Sequence, residues 1–226
     1  MAQGFLKQEG FNFKFLNKTA GMIKVNTKYK LCKRLGANIF EKCQTQRFAL
    51  SQSKSIKPRK KRPRQRSGYG LQLIEKQKAR FSYGMSEKQF EKYVKESLLK
   101  KTSNPAQELF SFLEKRLDNA VYRIGFAKTR AMARQAVSHG HIVVNGRKVN
   151  IPSYQLRGGD KIQIREGSKT KELFKNLDLK NFTEANIPKW LSFDFKKREG
   201  TVIAGPVYNS AENLFDLHSV IEFYNR

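Results

Sequence analysis

Apolar residues in the middle of this chain return every three or four positions, and past residue 141 they return every second position. Leu71 to Arg80 reads as a helix ending near Gly84, with Ser67-Gly68-Tyr69-Gly70 punctuating the chain before it. Ser86-Glu87-Lys88-Gln89 matches a capping box and opens a second helix whose apolar stripe is Phe90, Val94 and Leu98. Asn104-Pro105 restarts the chain, since asparagine suits an N-cap and proline the first helical position. Leu113, Leu117, Val121 and Ile124 then keep helical spacing until Gly125, where a left-handed C-cap is expected. Thr129 can cap a short helix that turns Met132, Ala133 and Ala136 toward a core, leaving Arg130 and Arg134 on its other face. Gly140 stops that helix.

The period then changes. Ile142, Val143 and Val144 meet Asn145-Gly146, the strongest short-range signal for a type I′ hairpin, and Lys148 and Val149 begin the returning strand. Gly158-Gly159-Asp160 makes another turn, after which Lys161 to Arg165 alternates like a half-buried strand. Two helices backed by a small antiparallel sheet would present Arg123, Lys128, Arg130, Arg134, His139, Arg147 and Lys148 as a compact basic face. An isolated Arg-x-x-x-Arg is more often a solvated surface than a ligand contact. Here it is the order of parts that carries weight. Arg116-Leu117-Asp118, Thr129-Arg130-x-x-Ala133-Arg134 and Val143-Val144-Asn145-Gly146 together resemble the RNA-binding module named after small-ribosomal-subunit protein four, which also occurs in pseudouridine synthases and some tRNA synthetases.

Charge sharpens this picture. The 226 residues carry 46 Lys and Arg against 19 Asp and Glu, a net charge of +27 that repels itself unless a polyanion neutralises it. Nucleic acid is the expected partner. A membrane is not, because no apolar run approaches the roughly 20 residues needed to span one. Met1 to Gly21 lacks a signal-peptide pattern, and Glu9 precedes the first arginine, Arg34, unlike a transit peptide. A cytoplasmic location is expected, with an organellar one less favoured. Lys54 to Arg66, KSIKPRKKRPRQR, contains no acid, and Pro58 and Pro63 block a regular helix. It reads as an extended arm that orders on RNA, with Arg59, Lys60, Lys61, Arg62, Arg64 and Arg66 against phosphates.

Cys32 and Cys43 are the only cysteines. They read as reduced thiols, because two cysteines alone cannot supply the four ligands of a closed zinc site. No metal or other cofactor is expected.

The resemblance extends to the bacterial-type small-ribosomal-subunit protein four family over roughly residues 28–226. It rests on Tyr69-Gly70-Leu71-Gln72-Leu73, Glu75-Lys76-Gln77-Lys78, Arg116-Leu117-Asp118-Asn119-x-Val121-Tyr122-Arg123, Ile187-Pro188-x-Trp190-Leu191, Glu199-Gly200-Thr201 and Val220-Ile221-Glu222-x-Tyr224. The family's Gly-Gln-His-Gly motif before the helical part is absent here. The fold expected is α+β: a basic extended N-terminal arm (1–66), a discontinuous helical domain (67–112, returning at 171–226), and an inserted RNA-binding module (113–170) of two to three helices on a small antiparallel sheet. A helix is expected around Leu173 to Leu177, and Trp190 is expected to pack against the helical bundle. The resemblance implies a structural constituent of the small ribosomal subunit that binds rRNA at a multi-helix junction of the 5′ domain and nucleates its assembly. It also implies contact with small-subunit proteins three and five, and influence on decoding accuracy where mRNA enters the subunit. Within the module the residues expected on rRNA are Arg116, Arg123, Lys128, Thr129, Arg130, Arg134, His139, Asn145, Arg147 and Lys148.

Two other readings use the same module. A pseudouridine synthase places a catalytic aspartate in an Arg-Leu-Asp sequence, but here Arg116-Leu117-Asp118 opens a helix where Asp118 is expected to pair with Arg123, and no second domain of sufficient size remains. No phosphate-cradling Gly-x-x-x-x-Gly-Lys loop or His-Glu-x-x-His helix occurs either. A free-standing RNA-binding factor would explain the charge and leave the flanking helices unexplained.

Overall fold

The computed structural model describes residues 27–54, 67–100, 102–171, 174, 187–194 and 197–225. Their helices are α1 (Lys28–Leu35), α2 (Gln46–Lys54), α3 (Gly68–Ser82), α4 (Glu87–Leu99), α5 (Pro105–Glu114), α6 (Leu117–Ile124), α7 (Arg130–Ser138) and α8 (Leu217–Tyr224). The strands are β1 (Ile142–Val144), β2 (Arg147–Lys148), β3 (Lys161–Ile164), β4 (Leu191–Asp194) and β5 (Glu199–Val202). No described helix is long and apolar enough to cross a membrane.

Helix starts follow the side-chain caps. Ser67, Ser86, Asn104 and Thr129 each accept a hydrogen bond from the backbone amide three residues on, at 3.1–3.3 Å. Gly125, at φ 87°, closes α6 as expected. The run from Leu113 to Ile124 is nevertheless two helices. Arg116 is extended, at φ −65° and ψ 136°, and bridges to Gln155. The amides of Leu117 and Asp118 donate to the carbonyls of Tyr154 and Pro152, so the 152–156 loop takes the bonds that a continuous helix would have kept.

All strand pairs are antiparallel, in the order β2-β1-β3-β5-β4. The module's sheet therefore runs past residue 170, because β5 pairs with β3 and β4 with β5. This corrects Trp190, which lies in the module's core with Leu191, Val202 and Phe174 and not against the helical bundle. Of the helix expected around Leu173 to Leu177, only Phe174 falls among the described residues, where it is helical and buried.

The bundle has its own core, in which Phe90, Val94, Leu109 and Leu113 meet Leu217, Val220 and Ile221 of α8. Gln72 of α3 donates to Glu222 at 2.9 Å, and the buried Lys76 lies over the Phe223 ring at 4.5 Å, so α8 completes a bundle that α3 began. Part of the expected N-terminal arm is folded: α1 and α2 enclose a third, smaller core of Cys32, Cys43 and Phe48. Both thiols are free and buried. Burial, and then the neighbouring Cys32, push the Cys43 thiol up to about 12.

Candidate nucleic-acid interface

The candidate interface is organised around α6, which has no solvent face of ordinary width. Leu117 to Val121 are five consecutive buried residues, two of them polar. Asp118 is 3 % exposed and receives two guanidinium groups. Arg116 Nε and Nη2 donate to its two oxygens at 3.0 and 2.8 Å, and Arg134 Nε donates to Oδ2 at 2.7 Å. The remaining donors reach into the bundle. Arg116 Nη1 donates to the Tyr93 hydroxyl at 3.0 Å, while Arg134 Nη1 and Nη2 donate to the carbonyls of Gly84 and Tyr83 at 2.6 and 2.9 Å. Each of these contacts is charge-assisted, the stronger class of protein hydrogen bond.

A second buried acid stands beside the first. Glu114 accepts from Arg123 at 2.9 and 3.1 Å, from the Tyr83 hydroxyl at 2.7 Å and from Asn119 Nδ2 at 3.0 Å. Burial pushes its carboxyl up, but Arg123, joined by Arg130 and the Tyr83 hydroxyl, offsets this and holds it below the usual range. Arg130 Nε donates to Asn119 Oδ1 at 3.0 Å, and its guanidinium lies over the Tyr122 ring at 4.5 Å.

These contacts divide the residues expected on RNA. Arg116 and Arg134 are 1 % and 4 % exposed, which removes them from the basic face. Asp118 pairs with these two and not with Arg123, whose partner is Glu114. Arg123 and Arg130 are half-buried, each tied to a polar partner. The Thr129 hydroxyl is committed to capping α7. Asn145, at φ 50° in the hairpin turn, donates to Asp160 at 2.7 Å and accepts from the Lys161 amide at 2.9 Å, so its amide fastens the hairpin to β3. Lys128, His139, Arg147 and Lys148 are exposed, and none of them forms an ion pair among the described residues. Lys128 precedes α7 and His139 follows it, which separates them by about 15 Å at 1.5 Å per residue. Arg59, Lys60, Lys61, Arg62, Arg64 and Arg66 lie outside the described residues.

Sequence reasoning missed Glu114, Tyr83 and Tyr93, the partners that consume the arginines. One signal was available: acids are scarce in this chain, and two of them, Glu114 and Asp118, each directly follow a leucine of the apolar stripe, Leu113 and Leu117. It also missed His141, whose ring stacks on His139 with centroids 6.0 Å apart.

Two family models match adjoining parts of the chain, one described as the ribosomal protein S4/S9 N-terminal domain over residues 25–114 and one as the S4 domain over residues 115–162. The chain is similar to proteins named small ribosomal subunit protein uS4. The one from Chloroflexus aurantiacus is 43 % identical over 202 residues, and that from Roseiflexus sp. is 44 % identical over 202 residues. The one from Thermotoga maritima is 41 % identical over the same length. Each alignment spans 87 % of this chain and 96 % of the relative.

Proposed function

This chain belongs to the small ribosomal subunit protein uS4 family, and on that basis we propose that it is a structural constituent of the small ribosomal subunit that holds small-subunit rRNA with its inserted module and basic arm. It is not an enzyme. One observation about the module supports the rRNA reading: carboxylates inside the fold neutralise Arg116, Arg123 and Arg134, while Lys128, Arg147 and Lys148 stay exposed without such partners among the described residues. A-form RNA hides its major groove from side chains, so these cations would meet phosphates and 2′-hydroxyls at a folded junction more than base edges. The buried arginines then act indirectly, by holding the module at a fixed angle to the bundle. Arg130, with one guanidinium edge given to Asn119, is placed to contribute from the helix start.

The finer reading is the one the family resemblance carries: a multi-helix junction in the 5′ domain, early nucleation of that domain, neighbours among small-subunit proteins three and five, and mRNA where it enters the subunit, in a cytoplasmic ribosome. In this reading the arm residues Arg59 to Arg66 thread between phosphate backbones.

Filter binding to a 5′-domain junction RNA and to a plain duplex, across a salt series, tests the proposal. Changing Lys128, Arg147 and Lys148 together to glutamine should weaken junction binding and flatten the salt dependence by about 2–3 in slope, at 0.7–0.9 per phosphate contact. Changing Lys60, Lys61, Arg62 and Arg64 should weaken both RNAs alike. Unaltered junction affinity in the module variant would overturn the assignment. Retention on the small subunit through a high-salt wash separates a ribosomal constituent from a transient RNA-binding factor.

A further inference from the structure

A cluster of titratable side chains that the reading above uses only through Lys148 lies at the far end of α7. His139 ends the helix, Gly140 turns the chain at φ 67°, and His141 leads into β1. The two imidazoles stack 6.0 Å apart at an interplanar angle of 15°. The Lys148 side chain lies across Gly140 from β2, where a Cβ would collide with it. The His141 ring is fixed on its other sides: Phe174 meets it edge-on at 5.9 Å, and Nδ1 is 3.0 Å from the Ser168 hydroxyl. The Arg165 amide donates to the His141 carbonyl at 2.9 Å, bringing the end of β3 alongside.

The charges that act on this ring are of one sign. Burial comes first, followed by Lys171, His139, Arg165 and Lys148, and together they hold His141 below the ordinary imidazole range. Glu166, which follows Arg165 in the chain, is paired with Lys169 within the same turn. Ser168 suits either protonation state. Its hydroxyl can donate to a neutral Nδ1 and accept from a protonated one, which leaves Nε2 available to an incoming acceptor.

We propose that His139, His141, Lys148, Arg165 and Lys171 form a phosphodiester-binding cradle that takes up a proton when RNA docks, making the interaction of this chain with rRNA pH-linked. The inference rests on the rRNA-binding reading. A phosphate replaces repulsion among cations with attraction and favours the imidazolium, whereas RNA phosphates stay ionised throughout. Affinity therefore rises as pH falls, until His141 of the free protein is itself protonated.

Calorimetry of the full chain with the 5′-domain junction RNA, at pH 6.5 in two buffers of different ionisation enthalpy, reads proton uptake directly. We expect roughly half to one proton per complex, and an affinity about three- to tenfold lower at pH 8 than at pH 6. His141→Asn, which keeps an amide for Ser168, combined with His139→Gln, should abolish the uptake while the RNA still binds. His139→Gln alone alters an exposed side chain and should remove part of it. Uptake that is zero in the original chain, or unchanged in the double variant because the RNA itself titrates, overturns the cradle and leaves the rRNA reading standing. Failure to bind at any pH overturns both.

Discussion

Asp118→Asn isolates the ion-pair cluster that joins the two lobes. The carboxylate is buried and is the shared acceptor of Arg116 and Arg134, themselves 1 % and 4 % exposed. Asparagine has nearly the same shape, so packing changes little. Its amide nitrogen, however, is a donor facing guanidinium donors, and the negative charge that compensated two buried cations is gone. Breaking a buried pair by removing one partner costs about 3–5 kcal/mol, because the other charge is left uncompensated. The upper part of that range applies, since one carboxylate serves two cations and neither can reach solvent. At about 2–4 °C per kcal/mol for a chain of this size, the midpoint of thermal unfolding should fall by roughly 8–20 °C. Arg134→Met gives the contrast: Asp118 keeps its two bonds to Arg116, but the carbonyls of Tyr83 and Gly84 lose their donors. Urea unfolding followed by circular dichroism measures both variants, and scanning calorimetry shows whether the single transition divides as the lobes uncouple. A loss below about 1 kcal/mol for Asp118→Asn would refute the reasoning, because it would mean that the cluster is well hydrated in spite of its burial.

Three further outcomes follow from the same geometry. Arg123 keeps the Glu114 carboxyl below its ordinary value against the opposing effect of burial, so its contribution is complete above the unfolded carboxyl range and disappears as pH falls through the folded value. The stability gap between the original chain and Glu114→Gln should therefore be constant from pH 6 to 8 and shrink below about pH 4.5, as urea titrations at each pH would show. Gly146→Val places a β-branched residue at φ 76° in the hairpin turn and should destabilise the module by about 1–3 kcal/mol; unchanged stability would mean that the turn relaxes freely. Cys32→Ser with Cys43→Ser buries two hydroxyls beside Phe48 and should lower the stability of the 27–54 subcore by about 1–3 kcal/mol, measured as faster amide exchange in α1.

What could be read from the sequence was local. The starts of α3, α4, α5 and α7 each depend on one side chain and an amide three residues away, and the hairpin depends on two adjacent residues that accept positive φ, so Ser86, Thr129 and Asn145-Gly146 announce their own structure. What could not be read was the fate of groups whose partners lie far along the chain. Arg134 and Gly84 are 50 residues apart, and nothing near Arg134 says that a carbonyl waits for it. The same holds for Trp190, whose position was set by β5 finding β3 across more than 30 residues. The amphipathic reading of α6 failed for a related reason. A stripe assumes one buried face, whereas this helix is covered on both sides and has to bury Asp118 and Asn119 as well. The candidate interface was consequently over-populated: composition announced a basic face without saying which cations the fold would keep for itself.

The docking of α8 on α3 and α5 also sets an order of events during synthesis. The module's helices and its first three strands lie within about fifty consecutive residues, so their contacts become available soon after that stretch emerges. The bundle is different. Phe90 and Leu109 wait for Leu217, Val220 and Ile221, which are made roughly 100–130 residues later, an interval of about 5–25 s at 5–20 residues per second. During that interval the half-bundle exposes an apolar groove of the size of one helix, while α6, α7 and β1 to β3 of the RNA-facing module have already been made and only β4 and β5 are still to join its sheet. A nascent chain of this topology can meet its polyanion before its own helical domain has closed.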